Sequence, residues 1–151
     1  MSAGEFELGT DGPSAILVGV DDSVTANRAA WYAAGLARRQ RARVVAVYVA
    51  PISVMMTSAV GASVLAAENE AHDEVAAGLA KRAREVGGEL GVNVTFIAAH
   101  GDPYHEIKRI ADETRADAIV VGASLQAGHR IMGSLAIRLV KAGKWPVTVV
   151  P

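Results

Sequence analysis

The chain is 151 residues long, with 51% hydrophobic and 21% charged residues, a formal net charge of −1 and no cysteine. That length holds one domain with one core, and that balance excludes a disordered chain. Near-zero charge argues against a nucleic-acid partner; the missing cysteines exclude disulfides and thiol catalysis; no apolar run is long enough to span a membrane and no secretory signal is present, so a cytoplasmic setting is expected.

Met1 to Pro13 is set aside from fold reasoning. Glu5-Phe6, Glu7-Leu8 and Gly9-Thr10 are the dipeptides that three common six-base restriction sites encode in frame, the pattern of a vector-derived arm. One domain is expected over 14–151. Ala15 to Val20 (AILVGV) has the continuous apolar, β-branched character of a buried strand. Asp22 or Ser23 can then cap a helix running to about Gln40, where Ala30, Ala33, Ala34 and Ala37 are small enough to pack closely on a sheet. Arg38, Arg39, Arg41 and Arg43 complement the end of that helix, and no aromatic residues interleave to make a base-stacking platform.

Arg43 to Val49 (RVVAVYV) reads as a second strand. Pro51 to about Ala66 lacks a clean period; Met55, Met56 and Val60 suggest a covered apolar patch, with a lid over a ligand or a helix extension as alternatives. Glu68 to about Leu90 carries Val75, Leu79, Ala83, Val86 and Leu90 at helical spacing, and Gly91 is a natural stop. Val92 to Ala98 reads as a third strand. Asp102 then caps a helix with Pro103 in its first turn, with Ile107, Ile110 and Ala111 facing inward. Asp117 to Gly122 is a fourth strand, Ala123 to Met132 a loop, and Gly133-Ser134 opens a helix with Leu135, Leu139 and Val140 on one face. Val147 to Val150 is the fifth strand.

Strands and helices alternate throughout, which predicts an α/β fold: an open parallel sheet with helices on both faces. The segment from Gly122 to Ser134, a strand end, a glycine-bounded loop and a helix N-terminus, has the makings of an anion site. Unpaired N–H groups and the positive helix end face the ligand there, and the Ser134 hydroxyl adds a donor. His129, Arg130 and Arg138 are nearby cationic candidates. His100 and His105 lack the further partners that a metal site needs. The Gly-x-Ser-x-Gly of a nucleophile elbow is absent, because Gln126 follows Ser124 and Leu125.

The Gly122-to-Ser134 stretch resembles the C-terminal signature of the universal stress protein family, Gly-x2-Gly-x9-Gly-(Ser/Thr). Gly122 matches its first glycine, and Gly133-Ser134 its closing pair. Leu125 stands at the second glycine, Gly128 is a displaced substitute, and seven residues separate Leu125 from Gly133. Asp21 after the first strand, Gly101-Asp102-Pro103, and Ala116-Asp117 before the fourth strand match further landmarks in order. The resemblance implies a Rossmann-like, five-stranded sheet of order 3-2-1-4-5 that binds an adenine nucleotide where the order reverses. Adenine would lie near Val49, ribose near Asp21, and phosphates on Gly122, Gly128, Arg130, Gly133 and Ser134. ATP is the expected ligand, accompanied by Mg²⁺, with AMP or cyclic AMP as alternatives. The implied role is stress response or regulation, with at most weak ATP hydrolysis and no catalytic residue assigned. The alternative is a dimer that binds no ATP and acts through protein contacts. The family also implies a homodimer through the last strand, which would lie at a sheet edge with Val147 and Val149, or their alternating neighbours, at the contact.

Asp21-Asp22 is compatible with a response-regulator receiver domain as well. That reading needs an aspartate ending the third strand and a lysine ending the last. The third strand ends Ala98-Ala99-His100, and the last reaches Pro151 without lysine.

Overall fold

The structure, a computed structural model, describes residues 12–52, 59–126, 129–131 and 133–151, with backbone alone at 59–60, 125–126 and 129–131. The expected vector-derived arm lies almost wholly outside these residues, as do Met55, Met56 and Gly128; of Val60 and Arg130 only the backbone is described. In chain order the elements are β1 (Ala15–Gly19), α1 (Val24–Gln40), β2 (Arg43–Ala50), α2 (Ala59–Leu90), β3 (Val94–His100), α3 (Pro103–Glu113), β4 (Ala118–Gly122), β5 (Ser124–Gln126), β6 (His129–Ile131), α4 (Ser134–Ala142) and β7 (Val147–Val150).

Five strands form a parallel sheet in the order β3-β2-β1-β4-β7. Counting only the strands of that sheet, this is 3-2-1-4-5, as expected. The strands read as continuous apolar runs because both faces are covered, which parallel sheets require. Leu17, Val45, Val47, Ile119 and Val121 face α3 and α4, where Ile107, Ile110, Ala136 and Leu139 complete the packing. Their alternates Ile16, Val18, Val44, Ala46 and Val120 meet Ala29, Ala33 and Ala37 of α1. One face is therefore built of large side chains and the other of small ones.

Local signals set the element ends. Ser23 caps α1, its hydroxyl accepting from the Ala26 N–H at 3.2 Å. Asp102 caps α3, accepting from the His105 N–H at 3.0 Å with Pro103 in the first turn. Gly91 follows α2 with φ +65°, the left-handed conformation expected of a helix stop.

Three local expectations are corrected. The apolar segment before Glu68 is not a covered patch from Ala59 onward: it extends α2 by several turns, with Ala62, Ser63, Val64 and Ala66 exposed. Within the expected loop Ala123 to Met132, Ser124–Gln126 and His129–Ile131 are instead strands: β5 and β6 pair antiparallel, Ser124 opposite Ile131. Val140 is 51% exposed, because Ala136 and Leu139 carry the buried stripe of α4.

Candidate functional site

The sheet order reverses between β1 and β4, and an open cleft lies at the carboxyl ends of β1, β2 and β4. It encloses about 970 Å³, counting open solvent. Val47, Val49, Val121 and Ile107 give it an apolar base. The β1–α1 turn adds Asp21, Ser23 and Thr25, the end of β4 adds Gly122, Ala123 and Ser124, and the start of α4 adds Gly133, Leu135 and Ala136. Of the residues singled out in the sequence, Asp21, Val49, Gly122 and Gly133 are thus brought together. Ser134 is exposed beside them and does not line the cleft.

Three helices, α1, α3 and α4, begin at this cleft. Their N-termini carry unpaired N–H groups and partial positive charge. The start of α4 is the most open. Gly133 supplies no side-chain cap, and the first helical bond runs from the Ile137 N–H to the Gly133 carbonyl at 3.1 Å. The N–H groups of Ser134, Leu135 and Ala136 therefore have no partner within the helix. Among the described residues, no lysine or arginine lines the cleft and Asp21 is its one carboxylate.

The two glycines have packing roles that the sequence did not reveal. A Cβ on Gly122 would lie 2.5 Å from the Thr25 carbonyl carbon and 2.6 Å from the Ala26 nitrogen. Gly122 thus lets the end of β4 touch the first turn of α1, and its missing side chain makes room for protein backbone rather than for a ligand. A Cβ on Gly133 would meet the Ser124 Oγ at 2.5 Å, so this glycine seats α4 against the start of β5.

Asp21 is exposed, and its Oδ1 accepts from the Ser23 N–H at 2.7 Å, which fixes the turn into α1. Arg138 is committed elsewhere: it lies 3.3 Å from both Asp102 carboxylate oxygens and 4.1 Å over the Tyr104 ring, tying α4 to α3. The His105 N–H, followed by Arg138, holds the Asp102 carboxyl below the usual carboxylate range. His105 belongs to the same cap, its Nδ1 3.4 Å from Asp102. Among the described residues no group of three or more histidine, aspartate or glutamate side chains could hold a metal ion.

Sequence reasoning missed two contacts around the sheet. The Tyr48 hydroxyl lies 2.9 Å from His72 Nδ1, joining β2 to α2. Burial raises the Tyr48 hydroxyl's pKa, and the charges of Asp21 and Asp22 add to the effect. At the opposite end of the sheet, buried Asp117 accepts from the Ser14 N–H and hydroxyl, both at 2.8 Å, and from the Ala15 N–H at 2.9 Å. The only sequence signal for that role was a lone aspartate directly before an apolar strand.

The universal stress protein family model matches residues 14–151. The chain belongs to the universal stress protein family. It is 30% identical to the universal stress protein YxiE of Bacillus subtilis, over 89% of this chain and 97% of that one. Among solved structures, the universal stress protein UspA from Lactobacillus plantarum superposes with a TM-score of 0.75 at 29% identity, covering 91% of this chain and 97% of that one. A universal stress protein from Archaeoglobus fulgidus, solved in complex with dAMP, superposes with a TM-score of 0.62 at 24% identity, covering 90% and 96%. Within the described residues of this universal stress protein, no helix is long and apolar enough to cross a membrane.

Proposed function

We propose that this universal stress protein binds an adenine nucleotide in the cleft at the switch point. The observation that carries the reading is the uncapped start of α4, opening onto an apolar-based cleft where the sheet order reverses. Adenine lies against Val49, ribose beside Asp21, and phosphate on the N–H groups that follow Gly133, with the Ser134 hydroxyl within reach at the rim. Gly122 shapes the wall by drawing α1 and β4 together. Gly128 and Arg130 are proposed as further phosphate contacts. The dAMP complex of the Archaeoglobus relative supports an adenine mononucleotide as ligand class.

Within that class, the cleft favours AMP or cyclic AMP over ATP. Pairing of β5 with β6 engages backbone groups that a glycine-rich loop would offer to a phosphate chain. Asp21 contributes negative charge to the cleft, which weighs against a triphosphate more than against a monophosphate. Mg²⁺ would find a single carboxylate there, so it enters only on the phosphates of ATP. The reading is one of ligand binding and regulation, without a residue assigned to turnover.

Calorimetric titration of the nucleotide-free protein with AMP, cyclic AMP and ATP, the last with and without Mg²⁺, tests this. Saturable AMP or cyclic AMP binding is expected, with ATP weaker by roughly tenfold, about 1.4 kcal/mol. Gly133→Val should weaken AMP binding at least as much. A folded protein that binds none of these nucleotides would remove the reading and leave the dimer acting through protein contacts. The homodimer itself, through the outer edge of β7, is part of the proposal.

A further inference from the structure

At the end of the sheet opposite the nucleotide cleft, where β1, β2 and β3 begin, the surface is indented. The recess holds about 450 Å³. It is lined by Arg38 and Arg41 at the end of α1, by Ala42 and Arg43 at the start of β2, and by Val92 and Asn93 leading into β3. Ala42 and Val92 are buried beneath it, while Arg38, Arg41 and Asn93 are exposed around it. Its lining carries one sign of charge: three arginines and no acid. Arg38 and Arg41 make no ion pair or hydrogen bond among the described residues, and the Asn93 N–H has no partner there either. Arg43 donates through Nη2 to the Thr114 carbonyl, which leaves its guanidinium further N–H groups. The acids at this end of the sheet are already engaged, Asp117 by Ser14 and Ala15 and Asp112 by Lys144.

Helix ends attract cations, and Arg38, in the last turn of α1, needs no further reason. Arg41 does. It closes α1 at φ 55° and ψ 37°, the left-handed conformation in which a side chain is strained. Gly91 and Gly143 take the same conformation just past α2 and α4, at φ +65° and +64°. Arg115 repeats Arg41's conformation just past α3, at the same end of the sheet. Two arginines therefore stand where glycine would suit the backbone better. Strain retained at a position that glycine would relieve points to a use for the side chain.

We infer that this recess binds a small anion bearing a diphosphate group, held by Arg38 and Arg41 with the Asn93 N–H as a further donor. Guanidinium groups suit phosphate oxygens because they donate paired, parallel hydrogen bonds. Several unpaired donors from separate elements match a group with several charged oxygens better than a single carboxylate. The recess and the nucleotide cleft share no lining residue and lie at opposite ends of the strands, so the two sites fill independently.

The test is calorimetric titration of the full chain with pyrophosphate, with sulfate as the comparison anion. Saturable binding of one pyrophosphate per chain is expected, with sulfate weaker by roughly tenfold. Arg38→Gln and Arg41→Gln should each weaken pyrophosphate by roughly tenfold as well. Arg41→Gly separates binding from folding. It removes the guanidinium and relieves the backbone, so it should lose affinity as Arg41→Gln does while melting no lower than the unmodified chain. Methyl diphosphate, titrated alongside, tells an esterified ligand from the free ion by which of the two binds tighter. Absence of saturable heat overturns the inference. Pyrophosphate affinity unchanged in the folded arginine variants overturns it too, because the anion then sits elsewhere. Equal affinity for sulfate and pyrophosphate, with several ions per chain, would indicate general charge screening and would equally overturn it.

Discussion

Single residues divide cleanly into those that hold the fold and those that shape the cleft. Asp117 is 5% exposed and satisfies three donors at the start of β1. Asp117→Ala would leave those donors without their charged acceptor and should cost about 2–3 kcal/mol in urea unfolding, with the denaturant slope unchanged. Gly122 and Gly133 should separate in the same assay. Gly122→Ala drives a Cβ into the α1 backbone, and overpacking of that kind costs about 1–3 kcal/mol. Gly133→Ala meets chiefly the Ser124 hydroxyl, which can rotate away, so its loss should stay below about 1 kcal/mol. Equal losses at the two positions would show that the close approach at Gly122 does not govern stability. Both glycines stood out in the sequence because of their spacing. What they touch did not, because contacts with Thr25 and Ser124 depend on the fold bringing distant segments together.

Among the elements, α1 and α3 were legible because capping is local chemistry. Ser23 and Asp102 act within three residues of themselves. Asp102 also supplies a pH signature. Its folded-state pKa is lowered, first by the His105 N–H and then by Arg138, so the cap's contribution is present above the ordinary carboxylate range. It is lost as pH falls through the lowered value. Asp102→Asn retains a capping oxygen without the titration and should flatten the decline in stability between neutral pH and about pH 3. An unchanged slope in the urea midpoints would place that decline on other carboxylates. The elements that sequence reasoning missed depend on distant partners. The short β5–β6 hairpin has three-residue strands with no alternation of their own to announce them. The early turns of α2 expose apolar side chains, so their periodicity carried no inward face. Tyr48 and His72 are 24 residues apart and meet only once α2 folds back over β2. Tyr48→Phe should cost about 1 kcal/mol through that lost bond, measured by urea unfolding.

For the whole molecule, the parallel order of the sheet followed from alternating strand and helix patterns, and the family resemblance gave the strand sequence. The outer edge of β7 pairs with no strand among the described residues. If two copies join there, Thr148→Lys should give a monomer by light scattering, since charge on an edge opposes strand addition. A dimeric mass in that variant would rule out the edge as the joint. The central position of β1 also bears on how the chain is made. Its partners are β2, which follows after one helix, and β4, whose residues pair with Ile16 to Val18 only from Ala118 onward. A chain emerging from the ribosome can assemble β1, β2 and β3 with their helices long before β4 exists. During that interval one side of an apolar central strand has no neighbour, and the Asp117 latch to Ser14 has not yet been synthesised. The strand most deeply buried in the finished fold is thus open to wrong pairing while the chain is being born.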